Sequence, residues 1–351
     1  MRASKIAYDP PMSLSEVHGQ PRAVDALKKS LQSGHVHHAW LFMGPEGVGK
    51  ELAAAGLAQA LTCPEAPDVG CGTCSSCQRV LRRNHPDVTW VLTEDEQVAR
   101  GIVGRADFDH TPSRDIKVEQ VRALGERLSF RPLESRYKVA LLIDAHAMNP
   151  QAQNALLKTL EEPPRDTVLV LTTSMPDKLL PTIRSRCAKA QFGPLPEAFL
   201  VEKIVGKRKF ELELAHQVAR LAGGSLSRAL EMDVKGLQKR REIIEAFEAL
   251  QRDDARGWLN FAEVYGDGRL EAEDALEVLQ VWLRDVVAAQ AGAASLVNAD
   301  LLELAQKAAV KDLGPAILRR LTVLDEAKNA ISARNGAVRL QLERMLIEML
   351  A

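Results

Sequence analysis

A glycine-rich run, Gly44-Pro-Glu-Gly-Val-Gly49-Lys50, stands between the apolar stretch Ala39–Met43 and a helix-like Leu52-Ala-Ala-Ala segment. That is the context of a phosphate-binding loop. Glycines let backbone N–H groups turn inward to an anion, a lysine adds positive charge, and a helix N-terminus adds its dipole. Gly44, Gly47, Gly49 and Lys50 are the predicted cradle. In a working loop the next residue is Ser or Thr, whose hydroxyl binds Mg²⁺. Here it is Glu51, a larger, negatively charged group expected to repel a triphosphate. The same chemistry needs an acidic strand end, and Leu141-Leu-Ile-Asp144-Ala145-His146 supplies half of one. Asp144 sits where the Mg²⁺-associated carboxylate belongs. The group that should follow and polarise the attacking water is replaced by Ala145, which accepts no proton. His146 lies one residue too far along to stand in for it. The two departures converge on one reaction, so self-contained ATP hydrolysis is not expected, and ATP/Mg²⁺ binding is in doubt.

A second constellation is Cys63-x7-Cys71-x2-Cys74-x2-Cys77. Four thiolates suit tetrahedral Zn²⁺ in a closed, structural site, with no open position for metal catalysis. Pro64, Pro67, Gly70 and Gly72 permit the tight turns. An iron–sulfur cluster or unmetallated thiols are the alternatives. Folding support is the expected purpose. The remaining cysteine, Cys187, has no His/Asn partner in view and reads as a small buried residue. His35, His37 and His38 are poorly spaced for a metal and read as a structural turn. Lys207-Arg-Lys209 and Lys239-Arg-Arg241 read as solvated helix faces.

The elements that must position these groups follow from the apolar pattern. Four short runs, Ala39–Met43, Val88–Leu92, Val139–Ile143 and Val168–Thr172, fit buried strands of a parallel sheet, with helices between them as βαβ units. Gln151 to Glu162 reads as a helix with Ala155, Leu156 and Leu160 on one side, stopped by Pro163-Pro164. The polar stretch from Glu94 to Arg114 shows no clear period and reads as a loop inserted at the sheet edge. After Pro194-Leu-Pro196 strand-like runs disappear and helical periodicity continues to Ala351, broken at Gly223-Gly224 and at the small-residue connector Ala288–Asn298. The expected class is α/β followed by all-α.

Composition narrows the function. The chain has 351 residues, 46% hydrophobic and 26% charged, with a formal net charge of −1 and only 4% aromatics. Neutral charge and few aromatics disfavour a chain that grips nucleic acid over its whole surface. No apolar run approaches the ~20 residues of a membrane span, and Met1 to Asp9 lacks a signal core. A cytoplasmic location with no membrane partner is expected.

His18-Gly19-Gln20, Ala39-Trp-Leu-Phe, the phosphate loop, Asn154-Ala-Leu-Leu-Lys-Thr-Leu-Glu-Glu-Pro-Pro164 and Pro181-Thr-Ile-Arg-Ser185-Arg186-Cys187 together resemble the AAA+ clamp-loader subunits of bacterial DNA polymerase III. The resemblance covers residues 13 to 230. Its altered loop and missing carboxylate resemble a non-hydrolysing member rather than the ATPase, gamma/tau. The resemblance implies an AAA+ P-loop domain over 1–193 with a zinc module at about 63–77, a helical lid domain over 194–236, and a helical oligomerisation collar over 237–351. It implies gamma/tau and delta clamp-loader subunits as partners, with sliding clamp and primed DNA met through the complex, and membership of the DNA polymerase holoenzyme without polymerase chemistry. Arg186 is then an arginine finger donated to a neighbouring ATPase subunit. Thr173 and Arg228 match the sensors of the nucleotide pocket. The rival readings are a gamma/tau-like motor and a zinc-containing DNA-binding protein.

Overall fold

A computed structural model describes residues 13–350 apart from 252, 294, 312–313 and 335–336. The opening stretch Met1–Asp9 lies outside the described residues. The chain separates into two compact units. One runs to Glu202 and takes in Gly223–Arg228; the other is Lys203–Ala222 with the chain from Ala229 onward.

The first unit is built on α1 (Pro21–Gln32), β1 (Ala39–Met43), α2 (Lys50–Thr62), α3 (Ser75–Leu81), β2 (Val88–Val91), α4 (Glu94–Ala99), α5 (Val118–Ser129), β3 (Lys138–Leu142), α6 (Pro150–Glu161), β4 (Thr167–Thr173), α7 (Pro181–Arg186), β5 (Ala188–Gln191) and the start of α8 (Glu197–Arg208). Its five strands pair in the order β2-β3-β4-β1-β5, all parallel. The four predicted strands are present within a residue at each end. The strand β5 was not predicted. It is a short edge strand of sequence Ala-Lys-Ala-Gln in which only Ala190 is buried, so it carries no apolar run.

Both faces of the sheet are covered, which is why the central strands are apolar throughout rather than alternating. Ala39, Leu41, Ala140, Leu142, Leu169 and Leu171 turn to one side and pack with Val121, Leu124 and Leu128 of α5 and Leu156 and Leu160 of α6. On β1 the intervening Trp40 and Phe42 pack edge to face, and Phe42 meets Phe192. Helix α6 is capped by Asn149, whose side chain accepts from Ala152 N, and it ends before Pro163.

The Glu94–Arg114 segment differs from the predicted loop. Its first part is helical: Thr93 caps α4 by accepting from Glu96 N, and Glu94, Asp95 and Glu96 lie in the first turn, where the helix dipole favours acids. No residue of α4 is buried, so there was no apolar period to read.

One buried carboxylate organises the chain ahead of β3. Asp87, 2% exposed, accepts from Leu133 N (2.7 Å), Glu134 N (2.9 Å), Ser135 N (2.9 Å) and Ser135 Oγ (2.8 Å). Burial by itself raises its pKa, but these four donors outweigh burial and hold it below the ordinary aspartate value. A depressed folded-state pKa adds stability above the unfolded value, and that stability is lost as pH falls through the folded one. Asp87→Asn is therefore expected to cost about 2–3 kcal/mol near neutral pH, because an amide cannot accept from all four donors. The cost shrinks in acid. Urea denaturation at pH 7 and pH 3 checks both statements.

The second unit is helical among the described residues: α9 (Leu212–Leu221), α10 (Leu226–Glu231, whose first residues belong to the first unit), α11 (Val234–Glu248), α12 (Ala255–Tyr265), α13 (Arg269–Gln290), α14 (Leu302–Lys311), α15 (Gly314–Arg334) and α16 (Val338–Leu350). Leu276, Leu279, Trp282 and Leu283 of α13 form its central stripe, against Ile244, Phe247, Leu324 and Leu346. Trp282 Nε1 donates to Glu248 Oε1 (2.7 Å), so the largest buried side chain leaves no polar atom unpaired. No described helix is long and apolar enough to cross a membrane.

Candidate nucleotide pocket, cysteine module and finger

Parallel strands deliver the predicted pocket residues to one place. The loop follows β1, Asp144 follows β3 by two residues, and Thr173 ends β4, so all three lie at the C-terminal edge of the sheet, where such folds bind ligands. Gly49 is the N-cap of α2 with φ +100°, a conformation closed to most side chains. Gly47, at φ +70°, has the serine turn against it: an added Cβ would stand 2.1 Å from Ser227 Oγ and 2.2 Å from Ser225 Oγ. Leu226 N donates to Gly47 O (2.9 Å). The Gly-Gly-Ser-Leu-Ser-Arg228 string thus meets the loop itself. Arg228 is exposed, and its backbone N donates to Ser225 Oγ (3.3 Å), a capping bond at the start of α10.

Lys50 is 6% exposed and its ammonium donates to Gly44 O (2.7 Å) and to Pro45 O. Burial lowers its pKa, against the pull of Asp144 and Glu46. Asp144 sits in the left-handed region (φ 50°) and donates its N–H to Thr172 Oγ1 (3.0 Å). Burial first, then Glu46, push its carboxyl up to about 6, with Lys50 opposing. Thr173 Oγ1 lies 3.2 Å from His146 Nδ1 and accepts from Met175 N (3.0 Å). Burial holds the His146 imidazole down at about 4, so it is neutral at pH 7. Ala145 is fully buried and brings no polar side-chain atom to the pocket.

Glu51 does not stand free above the loop. Its Oε1 accepts from Arg83 Nη2 (2.7 Å) and Arg100 Nη1 (2.5 Å), and its Oε2 accepts from Arg100 Nη2 (3.0 Å). Neither arginine was singled out from the sequence, because they lie 32 and 49 residues from Glu51 and belong to no local pattern. These groups do not fit Mg²⁺-nucleotide: the hydroxyl position carries a carboxylate already held by two guanidiniums, and the residue after Asp144 is Ala145, which has no group to polarise a water.

The cysteine module does fit its group. The four Sγ atoms of Cys63, Cys71, Cys74 and Cys77 lie within 4.8 Å of one another, with Cys63–Cys71 at 3.6 Å, Cys63–Cys74 at 3.8 Å and Cys71–Cys77 at 4.0 Å. A tetrahedron with Zn–S of ~2.3 Å has S–S edges of ~3.8 Å. A disulfide needs ~2.05 Å, so the sulfurs are spaced for a shared cation. Backbone N–H groups of Ala66, Cys74 and Cys77 donate to Cys63, Cys71 and Cys74 Sγ, the bonds that favour thiolates. Hydrogen bonding from Cys74 N holds Cys71 down at about 6, whereas burial raises Cys74 and Cys77. Cys187 is separate, buried and pushed up to about 12, an inert thiol.

Arg186 ends α7 and is separated by Cys187 from β5, whose Ala188 pairs with Trp40 near the start of β1. The phosphate loop begins beyond Met43, at the other end of the same strand. The two groups therefore lie at opposite edges of the sheet, separated by a strand length of roughly 13 Å for four residues. The Arg186 guanidinium confirms the side: Nη2 pairs with Glu161 Oε1 (2.7 Å), at the end of α6 ahead of β4, and Nη1 donates to Thr182 O (3.0 Å). Its side chain is 35% exposed.

Two family models match the chain: "DNA polymerase III, delta subunit" over residues 19–196, and "DNA polymerase III, delta subunit, C terminal" over 235–349. The chain belongs to the DNA polymerase III delta-subunit family. A delta-prime subunit of DNA polymerase III from Bacillus subtilis is 29% identical over 325 residues, covering 89% of this chain and 91% of the relative. A gamma/tau subunit from Mycobacterium bovis is 36% identical over 187 residues, covering 53% of this chain but 29% of the relative. The family reading thus extends over both units, and the gamma/tau likeness over one portion. A solved gamma-subunit-related protein from Thermotoga maritima is 18% identical, with a TM-score of 0.38 over 94% of this chain and all of that one.

Proposed function

We propose that this chain is the non-hydrolysing, delta-prime-type subunit of a clamp loader and that it donates Arg186 to the ATP site of a neighbouring gamma/tau-type subunit. The observation that supports the reading is the position of Arg186: about a third exposed, and at the end of the strands opposite its own phosphate loop, it lies away from its own pocket, as a residue donated to another chain would. The altered pocket and the family membership support it. The partners are then gamma/tau and delta subunits, with sliding clamp and primed DNA met through the assembly. The helical region over 237–351 is the oligomerisation collar, 194–236 the lid, and 1–193 the AAA+ body. Zn²⁺ bound by the four cysteines is structural.

The test is reconstitution. The lone chain is expected to turn over no ATP above background. Mixed with gamma/tau-type and delta subunits, it is expected to co-elute as one complex whose clamp-dependent turnover on primed DNA falls when this chain is left out. ATP turnover by the lone chain would make it a motor instead. Tight, salt-sensitive binding of the lone chain to primed DNA would favour a DNA-binding zinc protein.

A further inference from the structure

The cysteine module and the Glu94–Arg114 segment meet at Glu51. Beyond α3 the chain turns at Arg83, held at φ +59°, and its guanidinium lies over the Trp90 ring (4.9 Å) as it reaches Glu51. From the other side α4 is followed by Arg100, which grips both Glu51 oxygens while its Nε donates to Glu96 Oε1 (2.6 Å). Arg83, Arg100, Glu51 and Glu96 side chains are only 23%, 17%, 30% and 22% exposed. Two guanidiniums converge on the Glu51 carboxylate, with Glu96 balancing the second charge, and a planar arginine fork matches phosphate oxygens as well as carboxylate oxygens.

We propose that Glu51 is a built-in anion that occupies, in Arg83 and Arg100, a guanidinium pair able to take phosphate oxygens beside the phosphate loop. Nucleotide is kept out by this occupied pair rather than by bare repulsion. The zinc module and the Glu94–Arg114 segment are the two arms that bring the arginines to Glu51. The inference deepens the non-hydrolysing reading of the pocket and is independent of Arg186.

The test is binding of N-methylanthraniloyl-ATP with Mg²⁺ to the zinc-loaded full chain, with unlabelled ATP as competitor. Glu51→Thr is expected to bind at least 30-fold more tightly than wild type. Adding Arg83→Gln and Arg100→Gln to Glu51→Thr is expected to lose at least tenfold of that gain, because the freed forks are what grip phosphate. Thermal melts show whether each variant folds. Should the triple variant fail to fold, Arg83→Lys with Arg100→Lys in the Glu51→Thr background keeps the charges without the forks and is expected to lose at least threefold. Equal binding with and without the forks overturns the proposal in favour of simple repulsion. No gain from Glu51→Thr overturns it outright. Wild type that binds and hydrolyses ATP overturns the non-hydrolysing reading as well.

Discussion

If Arg186 is the donated finger proposed above, replacing it by alanine is expected to slow single-turnover ATP hydrolysis about 10³-fold at the one neighbouring site, with the assembled complex still intact. The magnitude is that of an arginine finger, which stabilises charge on the transferring phosphoryl group from a neighbouring chain. The local role of Arg186 is too small to explain such a loss. Its ion pair with Glu161 joins side chains 35% and 50% exposed, and pairs of that kind contribute only about 0–1 kcal/mol. The variant should fold and assemble, which size-exclusion chromatography of the reconstituted complex checks. Arg186→Lys retains charge without the fork and should recover only part of the rate. Glu161→Gln removes the competing carboxylate and should leave the rate at or above wild type. An unchanged rate in the Arg186→Ala complex removes the finger assignment while leaving family membership in place.

Removing the metal from the cysteine module, by chelation or by Cys77→Ser, is expected to lower Tm by roughly 10 °C or more. Structural zinc contributes ~10–16 kcal/mol of folding free energy in isolated finger peptides. Even a third of that is about 4 kcal/mol, and a domain of this size shifts by roughly 2–4 °C per kcal/mol. The module has little else to hold it: its small core is the cysteines themselves with Ala66. Outside it, Gln59 Nε2 on Cys77 O (3.2 Å) and Ser76 Oγ on Thr62 O (3.0 Å) are two of the bonds tying it to α2. Metal analysis of purified wild type should find one zinc per chain, and Cys77→Ser less. Hydrogen exchange should place the loss of protection in residues 63–83 first. An identical melt for metal-free and metal-loaded protein would falsify a structural role.

Much of this was legible in the residues because it is local. A phosphate loop is a run of adjacent residues between a strand and a helix, and Ala39–Met43 was found because a strand buried on both faces has an apolar run. Four cysteines within one short stretch mark a candidate metal site by spacing alone. The Thr93…Glu96 pairing was also a readable helix start, and it was missed for want of an apolar face on α4. Strand β5 was not legible in that way: Ala-Lys-Ala-Gln becomes a strand because β1 offers it an unpaired edge.

By itself, then, the sequence determined the family, the degenerate phosphate loop, the four-cysteine cluster and the Ser-Arg-Cys motif, all of which are patterns of neighbouring residues. Only the tertiary structure decided where those groups lie. Parallel pairing put Lys50, Asp144 and Thr173 at one edge of the sheet and Arg186 at the other, and it closed Arg83 and Arg100 on Glu51 across 32 and 49 residues of chain. Side-chain pairing over such separations is set by how strands and helices pack, and no local period encodes it.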